Sequence, residues 1–147
     1  MARSRKSIID HLVQMGWNKS LASSAYFLWG VKAIDILKQD PYSALFLNPQ
    51  LKWVEMDRVA RGLGITDNSL ERICGSIRYS LFSSIGDGHV FLPHFELQRR
   101  VSRLTVIHDQ TSWQTAMSTM LQNREILFRN TEDRKSTRLN SSHVSES

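Results

Sequence analysis

The stretch GWNKSLASSAYFLWGVKAIDILKQDPYSAL, Gly16 to Leu45, decides the fold. Helix start and stop signals punctuate it repeatedly. Gly16 supplies a turn, and Asn18 or Ser20 can cap the helix that follows. That helix, LASSAYFLWG, ends at Gly30. VKAIDILKQ continues as another, with Val31, Ile34 and Leu37 in phase. Asp40-Pro41 then joins a capping carboxylate to a proline at the first helical position and opens a short turn through Tyr42 and Leu45. Short helices joined by sharp turns each present a small apolar face, so they need neighbours to bury enough of it.

Working outward, the same alphabet repeats. Before Gly16, SIIDHLVQM (residues 7–15) sets Ile8, Ile9, Leu12 and Val13 on one helical face. After Leu45, LNPQLK connects to a helix over 53–63, where Trp53, Met56, Val59, Ala60 and Leu63 share an arc and Arg58 and Arg61 lie opposite. Gly62 and Gly64 end it. NSLE at 68–71 reads as a capping box opening the longest helix, whose stripe is Leu70, Ile73, Ile77, Leu81 and Ile85. GDG at 86–88 stops it, and HVFLP is the first strand-like segment. A helix over 94–104 turns Leu97, Val101 and Leu104 inward and Arg99, Arg100 and Arg103 elsewhere. A helix over 112–122 carries Trp113, Ala116, Met117, Met120 and Leu121, and EILFR at 125–129 reads as a strand whose partner is missing. The expected fold is mainly α: tandem helix-hairpin-helix units over residues 1–66, then an incomplete, truncated winged-helix-like part with short strands over 67–132.

The end, DRKSTRLNSSHVSES over 133–147, is almost wholly polar and aperiodic, which is the composition of a disordered tail. Asp133 to His143 also resembles a sequencing-adapter oligonucleotide translated in one frame, which implies a non-native tail and an interruption of the natural gene near Glu132. Without it the chain keeps 16 Lys and Arg against 12 Asp and Glu, so the basic balance, +5 with a pI near 9.7 for the whole chain, does not come from the tail.

That balance is consistent with a polyanionic partner. The length, 147 residues, suits about one domain, and 41% apolar with 22% charged residues is the composition of a globular chain. No apolar run approaches a membrane span and the basic N-terminus lacks the apolar run of a secretory signal, so no membrane partner is expected. Cys74, the single cysteine, excludes an internal disulfide and reads as a small buried hydrophobe in a reducing cytoplasm. There is no G-x-x-x-x-G-K-[ST] loop, no G-x-G-x-x-G after a strand and no H-E-x-x-H. The five histidines, His11, His89, His94, His108 and His143, have no metal-ligand spacing, so no metal site is expected, and His89 with His94 reads better as packing or solvent exposure. Nothing marks the chain itself as catalytic.

Two hairpins remain as sites. In the first, the turn at Gly16 leads into a helix beginning near Asn18, Lys19 and Ser20. A helix N-terminus offers unpaired N–H groups and a partial positive charge to a phosphate, and Lys19 adds a charge contact. Such a hairpin reads backbone rather than base sequence; the alternative is an ordinary αα-hairpin. In the second, Lys52, Arg58 and Arg61 can face phosphates, or simply form a solvated face, as can Arg99, Arg100 and Arg103.

In order and spacing these residues resemble RecD-like ATP-dependent DNA helicases, in the helix-hairpin-helix region of their N-terminal half. The resemblance rests on Gly16, Ala22, Gly30, Ala33, Ile34, Asp40, Pro41, Tyr42 and Leu45. It continues through Asp57, Arg58, Ala60, Leu63, Gly64 and Ile65, then Arg72, Leu81, Gly88, His89, Leu92 and Pro93, and covers roughly residues 10–130. It implies an accessory DNA-interacting region of an ATP-dependent 5′–3′ helicase, with roles in DNA repair and recombination. The motor domains of the same parent chain, with their ATP and Mg, lie outside this fragment, which needs no cofactor of its own. The implied partner is DNA, held by its backbone, single-stranded or at a junction. The alternative is a non-enzymatic winged-helix or helix-hairpin-helix module for DNA binding or protein interaction. In the family, the turn before "DRVA" usually carries Gly-x-Gly; here Gln50, Leu51 and Lys52 stand in its place.

Overall fold

Caps fix where each helix begins and ends. The computed structural model describes residues 4–88, 91–106, 109–131 and 134–140, and the chain divides into two units, Met1–Thr66 and Asp67–Ser147.

In the first unit, α1 spans Arg5–Gln14 and starts earlier than its apolar face because the Ser4 hydroxyl accepts from the Ser7 N–H at 3.1 Å. It ends where Gly16 (φ +118°) donates to the Val13 carbonyl at 3.0 Å and Trp17 to that of Leu12 at 3.3 Å. This paired closure needs a left-handed residue, which glycine supplies at least cost. α2 spans Lys19–Trp29, capped by Asn18 rather than Ser20: the Asn18 Oδ1 accepts from the Leu21 N–H at 2.8 Å. A short 3-10 helix, Gly30–Lys32, leads to α3, Ala33–Gln39. The Asp40 carboxylate accepts from the Tyr42 N–H at 3.1 Å and opens the 3-10 helix Pro41–Phe46. α4, Trp53–Gly62, closes as α1 does, with Gly64 (φ +92°) donating to Arg61 and Ile65 to Ala60, both at 3.0 Å.

Ile8, Leu12, Leu37, Tyr42, Leu45 and Met56 are the large, fully enclosed side chains of this unit. The Tyr42 ring stacks on Trp53 (centroids 5.1 Å apart, planes at 16°), and its hydroxyl donates to the Asp57 carboxylate at 2.7 Å. A Cβ on Gly16 would stand 3.1 Å from the Val59 Cγ2, so the α1–α2 turn is seated on α4. Val31, expected to face inward, is exposed: Gly30 interrupts the helix and the 3-10 turn changes its phase. Val13, at the end of α1, is exposed too.

The second unit begins with α5, Leu70–Gly86. Ser69 caps it, accepting from the Arg72 N–H at 3.3 Å. The capping box read at 68–71 is therefore out by one position, because the serine and not Asn68 takes the cap, leaving Arg72 where the box needs Glu71. β1 (Leu92–Pro93), α6 (His94–Leu104) and α7 (Gln110–Gln122) follow. α7 starts before residue 112 because the Asp109 carboxylate accepts from the Ser112 N–H at 2.6 Å. β2 (Ile126–Thr131) and β3 (Arg134–Leu139) complete an antiparallel sheet of order β1-β3-β2. Ile73, Cys74, Ile77, Leu81, Leu97, Val101, Trp113 and Met117 pack with Leu92, Ile126 and Leu139 in one core. Cys74 is buried there, as its helical phase predicts.

β3 corrects two expectations. Over Arg134–Leu139 the polar tail is a central strand rather than disordered, and it supplies the partner that the 125–129 strand lacked. The helix, strand, helix, helix, strand, strand order is therefore that of a winged helix with its hairpin present. The physical reason is that a central strand needs little apolar area of its own: Leu139 lies opposite Ile126, and Thr137 lies between Leu92 and Phe128, so β1 and β2 bring the hydrophobic surface. Residues 133 and 141–147 of that tail, with residue 132 before it and the histidines 89, 108 and 143, lie outside the described residues.

The turn from α7 into β2 repeats the closure of α1 and α4 without glycine. Arg124 (φ +60°) donates to Leu121 at 3.1 Å and Glu125 to Met120 at 2.9 Å. Glu125 also accepts from buried Arg78 at 2.8 Å, and Asn140 donates through its backbone to the Glu125 carbonyl and through its side chain to the Arg124 carbonyl, both at 2.8 Å.

Five substitutions have expected outcomes in thermal or denaturant unfolding. Gly16→Ala, which forces a Cβ into a left-handed residue against Val59, lowers stability by about 2 kcal/mol, and Tyr42→Phe by about 1.5 kcal/mol. Arg124→Gly raises stability by about 1 kcal/mol, whereas Glu125→Ala, which removes a carboxylate from the buried Arg78 guanidinium, costs about 3 kcal/mol. Burial, with Lys135 nearby, pushes the His94 pKa below its ordinary 6.5. The unfolded chain therefore binds more protons below about pH 6.5, and stability falls as the pH drops through that value; His94→Gln flattens that part of the pH profile.

Candidate nucleic-acid interface

The first hairpin supplies a built helix N-terminus. Gly16 turns the chain, Trp17 is buried under the turn, and Asn18, Lys19 and Ser20 are exposed at the start of α2. The four first-turn N–H groups of a helix have no intrahelical acceptors. In α2 the Asn18 side chain takes that of Leu21, and the first helical bond runs from the Ala22 N–H to the Asn18 carbonyl at 3.0 Å. The N–H groups of Lys19 and Ser20 have no backbone acceptor among the described residues. No acidic residue stands in this turn, so the partial positive charge of the helix end and the Lys19 ammonium act together. Asn18 contributes as the cap that holds the turn in shape.

The second hairpin differs. Lys52 occupies the cap position of α4 with no side-chain cap bond, and Glu55 stands in the first turn. That carboxylate complements the helix end and repels a phosphate at the same place. Where glycine would let a phosphate approach, Leu51 is buried and ties the connector to the fold: Leu51 donates to the Asn48 carbonyl and Gln50 to the Asn48 side chain, both at 3.0 Å. Arg61 is engaged, its guanidinium 3.7 Å from the Asp57 carboxylate and donating to the Ile65 carbonyl at 3.5 Å. Arg58 is exposed and makes no ion pair among the described residues.

Of the seven candidates, Gly16, Asn18, Lys19 and Ser20 form one continuous turn. Because Gly16 sits against Val59, the turn lies against the part of α4 that carries Arg58 and Arg61, while Lys52 is at the other end of that helix. The helix 94–104 arginines are largely neutralised within the fold. Arg99 and Arg100 share Glu96, at 2.7 Å and 3.1 Å, and Arg100 also reaches Asp87 at 3.1 Å. The hydrogen bond from Arg99, joined by Arg100, holds the Glu96 carboxyl down at about 2. Arg103 is exposed.

Two features of the first unit lie outside the seven candidates. The Arg5 guanidinium lies over the Tyr26 ring, 5.9 Å from its centroid. Phe27, out of phase with the buried Leu21, Ala22 and Ala25, is 91% exposed. The phase of α2 was the signal for Phe27; nothing in the sequence pairs Arg5 with Tyr26.

No helix among the described residues is long and apolar enough to cross a membrane. No curated protein matches the chain. The family model described as the HHH domain of the ATP-dependent RecD2 DNA helicase matches residues 1–91, which takes in the whole first unit, α5 and the approach to β1. With its glycine-closed hairpins and the Asp40-Pro41-Tyr42 turn, the chain belongs to the RecD2 DNA helicase helix-hairpin-helix family.

Proposed function

We propose that this chain is an accessory DNA-holding region of an ATP-dependent 5′–3′ helicase, and that its first hairpin grips the sugar-phosphate backbone without reading base sequence. The observation that carries the reading is the N-terminus of α2, where Lys19 and the N–H groups of Lys19 and Ser20 stand together with no acidic residue in the turn. Gly16 and Asn18 shape that turn. Arg58 flanks it as a second charge. Lys52 and Arg61 are secondary, the one beside Glu55 and the other engaged with Asp57. In this reading ATP and Mg bind motor domains elsewhere in the parent chain, and the parent gene encodes a G-x-x-x-x-G-K-[ST] loop further on.

A non-enzymatic winged-helix module is the second reading, favoured by the β1-β3-β2 order of the second unit. It differs in what it expects of DNA: a preference for particular sequences, carried by base contacts.

Fluorescence anisotropy with a labelled oligonucleotide at low salt tests the first reading. Lys19→Ala weakens binding several-fold and lowers the slope of log affinity against log salt by about 0.7–0.9, the signature of one lost phosphate contact. Lys52→Ala leaves both close to the parent. Equal affinity and slope for Lys19→Ala and the parent removes the hairpin from the interface.

A further inference from the structure

We infer that Phe27 is a base-stacking platform that makes the first hairpin select single-stranded over duplex DNA. The inference rests on the proposed backbone grip at the N-terminus of α2 and extends it along the same helix. Phe27 is the most exposed large apolar side chain among the described residues, at 91%. At 3.6 residues per turn, Lys19, Ser20, Ser23 and Phe27 share one face of α2, whereas Leu21, Ala22 and Ala25 face the core. Phe27 therefore contributes nothing to the core of its unit and stands on the face that begins with the phosphate-binding turn.

The charge along this face is of one sign. α2, KSLASSAYFLW, contains no acidic residue. Lys19 stands at its start, and near its end the exposed Arg5 guanidinium lies over Tyr26, next to Phe27. An aromatic ring with a cation at either end is the arrangement by which sequence-tolerant single-strand sites work: cations track the backbone and each base offers a π-face to the ring. The spacing suits it. Eight residues of helix separate Lys19 from Phe27 by about 12 Å, or three to four nucleotides at about 3.4 Å per stacked base. In a duplex the bases are already paired and stacked, so the ring gains nothing there.

The test uses the full chain with a dT oligonucleotide and a blunt hairpin duplex, for the parent, Phe27→Ala, Phe27→Leu, Phe27→Trp and Lys19→Ala. Because Phe27 is exposed, the variants keep the parent's unfolding temperature. Phe27→Ala and Phe27→Leu lose about tenfold in affinity for the dT oligonucleotide and none for the duplex, since leucine restores apolar area without a π-face. Phe27→Trp binds the single strand at least as well as the parent, and its added fluorescence is quenched on binding. Unchanged single-strand affinity in the alanine and leucine variants, or an equal loss on duplex, overturns the inference. If Lys19→Ala weakens binding while the Phe27 variants do not, the stacking role alone fails; if Lys19→Ala is also silent, the backbone grip beneath it fails as well.

Discussion

The ring of Tyr42 is the piece on which the first unit depends. It is wholly enclosed, stacked on Trp53 and hydrogen-bonded through its hydroxyl to Asp57. Those two contacts reach successive turns of α4 and fix that helix against the segment the Asp40-Pro41 signal begins. A buried phenol without an acceptor would cost more than the hydrogen bond gains, so Asp57 is as necessary as the ring. Asp57 in turn draws Arg61 toward it, and α4, held in this way, offers Val59 as the seat for Gly16. The hairpin that faces solvent is thus positioned by way of α4, which Tyr42 holds in place.

This arrangement separates the basic residues by what they are committed to. Arg61 serves Asp57, Arg99 and Arg100 serve Glu96, and Arg78 is buried with Glu125. Net charge counts these with the rest, yet each is matched by a carboxylate. Lys19 stands out by contrast, at a helix end with unmatched N–H groups and no acid in the turn. The two hairpins therefore differ. Both end their first or second helix with the same glycine closure, but only the first keeps an approachable turn, and the second has exchanged it for the packing of Leu51.

Much of the fold was legible because glycines and capping residues are local signals. Gly16, Gly30 and Gly64, with Asp40-Pro41, mark real boundaries; the stripe of α4 finds the core, as do Ile73, Ile77 and Leu81 of α5, while Leu70 and Ile85 at the ends of that stripe are exposed. The misreadings have the same local character: Ser69 displaced Asn68 as a cap, and Val31 fell out of phase where Gly30 changes the helix type. The failure at Arg134–Leu139 is of another kind. Composition described the strand by its own residues, whereas a central strand is stabilised by what lies on either side of it, and that information is in β1 and β2. In the candidate site, the turn residues were readable. The commitments of Arg61, Arg99 and Arg100, and the exposure of Phe27, depend on three-dimensional neighbours and helix phase.

The central claim is that DNA meets this chain along α2, with Arg58 as a flanking charge, and not at the Lys52 end of α4 or along α6. A backbone amide NMR titration with a short dT oligonucleotide tests it most directly, since each helix reports separately. The account predicts saturable shifts at Gly16, Lys19, Ser20 and Phe27, attenuated by salt, with the amides around Lys52 and those of α6 left in place. Shifts concentrated on α6 or at Lys52, with α2 undisturbed, would contradict it.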